Sequence, residues 1–304
     1  MDTDLDTLVT ALYVKIDDAL RTDVRLRRYR PEVGLMPKIS DAELITLSVM
    51  QALLGFSSET RFLRHASDHL RHLFPYIPGQ SGYNKRLRRA EDQLRGVIRL
   101  LALDSELWSD DTWVVDSTPV ECGRSRPTAK RSDLAGFAGY GYCASHSRYF
   151  WGLRLHLVCT PAGLPITFAL ASPKADEREV LRDMLEIEPE LLGSRPGQII
   201  LADKGYAGRE FETFLNDHGA TLVRPAKSNE PPRSGAGILK PLRQVIESIN
   251  ETLKGQLDLE RHGGRTKSGV MTRVLQRMLA LTAAIWHNGN AEARPFRSLI
   301  AYDH

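Results

Sequence analysis

Apolar residues recur at helical spacing through the first hundred positions of the chain. The segment "TDLDTLVTALYVKIDDALR" has one apolar face. The segment "ISDAELITLSVMQALLGF" begins with Ser40 and places Glu43 three residues later, which is the capping-box pattern of a helix start. After the Pro- and Gly-rich "FPYIPGQSGY", the segment "NKRLRRAEDQLRGVIRLLALD" predicts one basic helix. We therefore predict an all-helical region over residues 1–105.

The pattern changes near residue 112, where short β-branched and aromatic runs replace the helical spacing. Five segments have the character of strands, and helices are predicted between and after them. The alternation predicts an α/β fold, with a mixed five-stranded sheet flanked by helices over residues 106–304. The predicted strands are 112–116, 149–159, 164–171, 198–203 and 220–224, and the predicted helices are about 176–187, 207–218, 242–257 and 268–288.

The distribution of charge adds more to the prediction than the overall composition does. With 42% hydrophobic and 26% charged residues, the 304-residue chain is ordinary for a globular protein, and its net charge is only +3. Arginines nevertheless crowd residues 21–30 and 84–100, which suits a polyanion such as nucleic acid, although a solvated helix face explains each cluster equally well. A helix-turn-helix near residues 60–100 is compatible with the pattern. The candidate DNA contacts here are Lys85, Arg86, Arg88 and Arg89.

The three cysteines are too few for a disulfide scaffold. The sequence shows no signal-peptide pattern and no long apolar run. We expect a protein of the reducing cytoplasm that does not associate with a membrane.

Two aspartates follow apolar strands. Asp116 comes after "TWVV" and Asp203 comes after "IILA". Acids at the carboxyl ends of strands lie where open α/β sheets keep their sites, although aspartate is also an ordinary turn residue. A set of carboxylates without soft ligands suits a hard cation such as Mg²⁺ or Mn²⁺.

The predicted helix "LRQVIESINETLKGQL" supplies a third acid. On a wheel of about 100° per residue, Glu247 and Lys254 fall within about 40° of Arg243, beside the apolar arc. Glu251 falls about 80° from Arg243 and further from that arc. Glu247 is therefore better placed than Glu251 to reach a site at the sheet. A pairing of Arg243 with Glu247 that only stabilises the helix remains open.

The last of these motifs resembles that of the DDE transposases of bacterial insertion sequences. Their third motif reads Tyr-x2-Arg-x3-Glu-x6-Lys, and this chain has Arg243, Glu247 and Lys254 at that spacing, with Lys240 in the place of the tyrosine. The departure at Lys240 leaves a tyrosine's role there unfilled.

The other two motifs resemble the same family. "LADKGYAG" is similar to its second motif, with Asp203, Gly205 and Tyr206, and "VVDSTPVEC" is similar to its first, with Asp116. The segments "ISDAELITLSVMQALLGF" and "DSTPVEC" look most like the insertion sequence 982 family. The resemblance covers nearly the whole chain.

The resemblance implies an RNase H-like catalytic domain in which Asp116, Asp203 and Glu247 hold two Mg²⁺ ions, with Mn²⁺ as a substitute. It implies cleavage at the ends of an insertion sequence and joining of those ends to target DNA by two-metal-ion phosphoryl transfer. The partners would be double-stranded DNA with terminal inverted repeats, target DNA and a second copy of the chain on DNA. The expected location is the nucleoid of the bacterial cytoplasm.

Further contacts are expected around this site. Arg243, Lys254 and Lys240 would contact DNA phosphates. The stretch "ECGRSRPTAKRSD" reads as a basic loop, with Arg124, Arg126 and Lys130 along the DNA backbone. His156, on the strand next to Asp116, is a possible accessory residue, and so is Tyr206.

Three other functions compete with transposition. A phosphatase of the haloacid-dehalogenase type needs a second aspartate two residues after the first, and position 118 is Thr. A related RNase H-like nuclease without strand transfer stays open, because the same metals serve both steps. A domesticated DNA-binding protein also stays open, although all three acids are present.

Overall fold

The computed structural model describes residues 4–27, 36–123, 125–143, 147–228, 230, 231, 233 and 236–302, with the backbone alone over 236–243. The chain forms two compact units. One unit combines Met1–Ser105 with Leu253–His304, and the other is Glu106–Thr252. Among the described residues, no helix is both long and apolar enough to cross a membrane.

The first unit is helical, as the apolar spacing predicts. The capping box is present: Ser40 Oγ accepts from Glu43 N at 3.0 Å, and the Glu43 carboxylate accepts from Ser40 N at 2.6 Å. The basic segment forms two helices rather than one, because the backbone of Ala90 (φ −95°, ψ 15°) leaves the helical range. The helices are α1 (Leu5–Thr22), α2 (Asp41–Leu53), α3 (Glu59–His69), α4 (Gln80–Arg89), α5 (Glu91–Leu103) and, later in the chain, α11 (Lys267–Asn290).

Helix α11 packs against α2 and α5, whereas the sequence predicts it in the same domain as the sheet. It is buried on nearly all sides from Val270 onward, so it needs helical neighbours around it. Several of its buried polar groups are paired within the unit: Gln276 Nε2 donates to Ser48 O at 2.7 Å, and Arg273 pairs with Glu59. The C-terminal residues therefore complete the core of the N-terminal helices.

The second unit is the mixed α/β fold expected of an RNase H-like domain. Its sheet has the order β2-β3-β1-β5-β6, and β4 also pairs with β3. Strands β1, β5 and β6 run parallel, while β3 is antiparallel to β1, β2 and β4. The strands are β1 (Thr112–Gly123), β2 (Gly139–Cys143), β3 (Arg148–Cys159), β4 (Pro165–Ala171), β5 (Gln198–Leu201) and β6 (Ala220–Val223).

Two features of this sheet differ from the prediction. Strand β1 continues through Gly123 instead of ending at Asp116, because β3 pairs with it on the antiparallel side as far as that residue. Strand β2 adds a sixth strand on the outer edge of β3. A polar sequence such as "DSTP" is kept in a strand when a neighbouring strand satisfies its backbone.

Helices cover both faces of the sheet unit. Trp113 and Val115 of β1 and Val158 of β3 belong to a core shared with α7 and α9. Val114, Asp116 and Leu157 point to the opposite face, where they line a small pocket with residues of α10. The helices of this unit are α6 (Arg126–Arg131), α7 (Glu177–Ile187), α8 (Glu190–Gly193), α9 (Arg209–Asp217) and α10 (Ala236–Glu251).

The predicted helix 242–257 is not uniform. Helix α10 ends at Glu251, and Thr252–Gln256 forms a π-helical turn. Ile249, Leu253 and Leu257 are buried, as the apolar stripe predicts. A π-helical turn advances by less than 100° per residue, so the wheel holds only as far as Glu251.

Candidate active site

Asp116 of β1 and Asp203, which follows the end of β5, occupy equivalent positions relative to these two neighbouring parallel strands. Val114 of β1 is paired with Leu201 of β5, and each aspartate comes two residues later. Adjacent strands lie about 4.8 Å apart, so the two backbones bring both acids to the same level of the sheet. The parallel register therefore brings together two acids that are far apart in sequence.

Asp116 lies in a buried and negatively charged environment. Burial raises the pKa of its carboxyl to about 6, and the charges of Glu177 and Asp203 also raise it. Hydrogen bonds from Ser117 N and Asn250 lower the pKa and do not offset these effects. A carboxylate in such surroundings is stabilised by a cation.

Glu177, at the start of α7, is a fourth acid near the two aspartates, and the sequence does not predict it. A methyl group built on Gly205 would lie 2.9 Å from Asp203 Oδ1 and 3.3 Å from Glu177 Oε2, so both carboxylates border one small space. The Asp203 oxygen also accepts from Gly205 N at 2.7 Å. Acids are common in the first turn of a helix, so nothing in the sequence distinguishes Glu177 from other such acids.

Helix α10 is joined to Asp116 by Asn250, a second residue that the sequence analysis missed. Asn250 Nδ2 donates to Asp116 Oδ2 at 2.6 Å. Glu247 lies one helical turn earlier, about 60° from Asn250 around the helix, whereas Glu251 lies about 100° away. Both glutamates are exposed. The hydrogen bond places the Asn250 side of α10 against Asp116, and Glu247 lies nearer to that side than Glu251 does.

Of the three bases of the third motif, the structure describes the side chain of Lys254 alone. The side chains of Lys240 and Arg243 lie outside the described residues. Lys254 is half-buried in the π-helical turn and belongs to the helical unit. Their contacts with DNA phosphates stay a prediction.

The two accessory candidates lie in different surroundings. His156 is buried opposite Ser117 in the β1–β3 register, so its side chain is on the other sheet face from Asp116. Burial lowers the pKa of His156 to about 4, and the charge of Arg154 adds to this effect. Tyr206 is 1% exposed, and after burial the charges of Glu177, Asp116 and Asp203 raise the pKa of its phenol. The charges of these three acids thus act on the Tyr206 phenol, whereas the His156 ring is not brought to Asp116.

Comparison with known families identifies the family of the chain. The model of the transposase DDE domain matches residues 108–283, which is more than half of the chain. The chain belongs to the DDE transposase family. The match does not distinguish among insertion-sequence families, so assignment to the insertion sequence 982 family stays a prediction.

Two further comparisons add little to this assignment. A solved structure of the piggyBac transposase synaptic complex with hairpin DNA aligns over 96% of this chain and 83% of that chain, with 10% identity and a TM-score of 0.39. At this low similarity, the roles of residues in that complex are not transferred to this transposase. No curated protein sequence matches the chain.

The acids fit the divalent ions that DDE transposase domains generally use. Asp116, Asp203, Glu177 and Glu247 offer only carboxylate oxygens, which Mg²⁺ and Mn²⁺ prefer. Within the described part of the chain, no three acidic, histidine or cysteine side chains already converge as a closed metal cage. Mg²⁺ is usually held by one or two carboxylates together with water and substrate phosphates, so an open arrangement suits it.

The basic residues that the sequence singled out in the transposase divide into two groups. Lys85, Arg88 and Arg89 of α4 are exposed, and so are Arg126 and Lys130. The predicted basic loop at 121–133 is instead the end of β1 followed by α6, which carries Arg126 and Lys130, and Arg124 lies outside the described residues. Arg86 differs from its neighbours, because Arg86 Nη2 lies 2.6 Å from Asp41 Oδ1 and Nη1 donates to Ile39 O at 2.6 Å.

We expect Arg86→Ala to lower the free energy of unfolding by about 2 kcal/mol, because it leaves the half-buried Asp41 carboxylate without its charged partner. Lys85→Ala, on the next residue, is expected to change stability by no more than about 0.5 kcal/mol. Urea unfolding followed by circular dichroism measures both. A loss of DNA affinity in Arg86→Ala at unchanged stability would instead assign Arg86 to the DNA contacts.

The helical unit also contains a positively charged groove of about 700 Å³. Arg88 of α4 lies on its lining together with Arg261 and Arg265, all three exposed. The acid of the groove, Glu59, is paired with Arg273. The exposed side chains therefore give this groove an excess of positive charge.

Proposed function

We propose that this DDE transposase cuts the ends of an insertion sequence and joins them to target DNA, with Asp116, Asp203 and Glu247 as its catalytic acids. The observation that carries the proposal is the equal offset of Asp116 and Asp203 from a paired position of the parallel strands β1 and β5, with α10 joined to Asp116 through Asn250. The three-motif resemblance supports the same acids.

The three acids would hold two divalent ions, Mg²⁺ or Mn²⁺. When bound, such ions stabilise the attacking and leaving oxygens of an in-line displacement at a DNA phosphate. In the first reaction, water adds to the phosphorus at the element end and the bond to the 3′ oxygen breaks, which leaves a 3′-hydroxyl. In the second, that hydroxyl attacks a target phosphate, and a target 3′ oxygen leaves.

The chain's own residues position these reactants. Asn250 holds the Asp116 carboxylate towards α10 and, with it, the turn that bears Glu247. Arg243, Lys254 and Lys240 would contact phosphates of the element end, and Arg126 and Lys130 those of the flanking duplex. Because two ends are joined in one event, the active assembly would be a dimer on DNA.

The proposal is tested on the DNA that flanks the gene. Short inverted repeats there supply the substrate, and the purified protein with Mg²⁺ or Mn²⁺ should nick at their ends and join the freed 3′ end to a target plasmid. Nicking without joining would favour the related nuclease. Binding of the repeats without any nicking would favour a domesticated DNA-binding protein.

The groove lined by Arg88, Arg261 and Arg265 is proposed to bind the DNA backbone. In the double variant Arg261→Ala with Arg265→Ala, we expect weaker binding to all duplexes and a salt dependence (log K against log[salt]) that is less steep by up to about 2, since each phosphate contact contributes about 0.9. Fluorescence anisotropy over a series of salt concentrations measures this.

Arg21→Ala serves as the control for the groove. Arg21 is exposed on α1, is paired with Asp17 and is not part of the groove lining. Its replacement should leave the salt slope unchanged. An equal loss of slope in the control would mean that net charge, and not the groove, accounts for the effect.

A further inference from the structure

The carboxylate of Glu177 is held in a fixed orientation. Its Oε1 accepts from Ser117 Oγ at 2.5 Å and from Arg154 Nη1 at 2.8 Å. Arg154 is itself fixed, because Nη1 also donates to Ser117 Oγ at 2.6 Å and Nη2 donates to Tyr142 O at 3.1 Å. Residues of β1, β2 and β3 therefore act together to direct one glutamate at the start of α7.

The other oxygen of Glu177 lies near Asp203. Oε2 borders the space above Gly205 that Asp203 Oδ1 also borders. Any side chain at position 205 would fill this space, because a methyl group there would already lie 2.9 Å from the Asp203 oxygen. The glycine keeps the space between the two carboxylates open.

A buried hydroxyl provides an independent indication that something binds there. Tyr206 is 1% exposed, and its Oη has no hydrogen-bond partner among the described residues. Tyr206 directly follows Gly205, the position that the Asp203 and Glu177 oxygens border. Buried hydroxyls are nearly always paired, so an unpaired hydroxyl on the residue next to this space points to water or another oxygen held there.

The charges of the cluster do not balance. The Asp203 and Glu177 carboxylates border one small space, the charges of both act on Asp116, and Arg154 pairs with Glu177. A purely structural bridge between β3 and α7 would need Glu177 and Arg154 alone. The surplus of negative charge is what a divalent cation neutralises.

We propose that Glu177 is a fourth carboxylate of the metal site, with Arg154 and Ser117 as positioning residues that direct its Oε2 to the cation. This inference rests on the proposed function, because it takes Asp116 and Asp203 as metal ligands. It adds a residue from the first turn of α7 to the acids of β1, β5 and α10.

The test measures Mn²⁺ binding directly, by isothermal titration calorimetry of the full chain without DNA. Glu177→Gln keeps the side-chain shape and an acceptor for Arg154 and Ser117, and we expect it to weaken Mn²⁺ binding by about tenfold or more. Glu179→Gln, two residues later on α7 and largely exposed, is the matched control and should bind Mn²⁺ as the unmodified protein does. Wild-type Mn²⁺ affinity in Glu177→Gln, together with a lower melting temperature, would assign Glu177 to the structural bridge and overturn the proposal.

Two further sets of variants keep the test decisive. If Glu177→Gln does not fold, Glu177→Asp retains the charge on a shorter side chain, and weakened Mn²⁺ binding by its folded protein supports the proposal, whereas unchanged binding overturns it. Asp116→Asn and Asp203→Asn test the underlying site. If both of these bind Mn²⁺ normally, the proposed metal site itself fails. If both lose Mn²⁺ and Glu177→Gln does not, the role of Glu177 alone fails.

Discussion

Asp116→Asn is expected to abolish DNA cleavage and to stabilise the metal-free protein at the same time. Loss of one ligand of the proposed metal site removes several kcal/mol of transition-state stabilisation, which lowers the cleavage rate by about a thousandfold or more. The stability effect has the opposite sign, because a charged carboxylate is kept in a buried place beside Glu177 and Asp203.

The pH dependence of that stability follows from the pKa of Asp116. The folded protein raises this pKa from 3.8 to about 6, so the favourable contribution of the neutral carboxyl is present below the unfolded pKa and is lost as the pH rises through about 6. At about pH 7, Asp116→Asn should therefore raise the free energy of unfolding by about 1–3 kcal/mol. Near about pH 4 the two proteins should be nearly equal.

Urea unfolding in EDTA at both pH values, together with a nicking assay in Mg²⁺, measures the two effects. Asn250 can still donate to the oxygen of an asparagine at position 116, so the contact with α10 is kept. A variant that is less stable than the wild type at neutral pH would show that the Asp116 charge does not destabilise the folded protein. A variant that nicks at the wild-type rate would remove Asp116 from the catalytic acids.

Glu247→Gln is expected to lower nicking and strand transfer by about a thousandfold, while Glu251→Gln keeps most of both. The physical reason is the position of each side chain on α10. Asn250 marks the side of the helix that contacts Asp116, and Glu247 lies nearer to that side than Glu251 does. Both glutamates are exposed, so neither substitution disturbs a buried core.

Glu251→Gln is a close control, because it removes the same charge from the same helix one turn later. DNA affinity without metal should be equal in the two variants, so that a difference in rate reports on chemistry. Full activity of Glu247→Gln with loss of activity in Glu251→Gln would reverse the assignment of the third acid.

Local patterns predicted the elements of this fold well. The Ser40 capping box and the buried residues Ile249, Leu253 and Leu257 depend only on neighbours three or four residues away, and the structure has them as predicted. The end of β1 could not be predicted in this way, because β3 keeps the polar stretch after Asp116 in the sheet. The same holds for α11, whose partners α2 and α5 lie far away in sequence.

The residues around the site likewise divide into features that local patterns predict and features that only the tertiary structure reveals. Lys85 and Arg86 are adjacent and equally basic, but only the tertiary structure reveals that Arg86 is held by Asp41. Glu177 looks like an ordinary first-turn acid until Ser117 and Arg154 are seen to orient it. Asn250 looks like an ordinary polar residue until its amide is found on the Asp116 carboxylate.

By itself, the sequence determined the family, most of the elements and the three candidate acids, because motif spacing and hydrophobic periodicity are local properties of the chain. Only the tertiary structure decided which side chains meet. The parallel register of β1 and β5 sets Asp116 beside Asp203, and the packing of α7 and α10 adds Glu177 and Asn250. Pairing register and helix packing join residues that are many positions apart, and no local pattern encodes those distances.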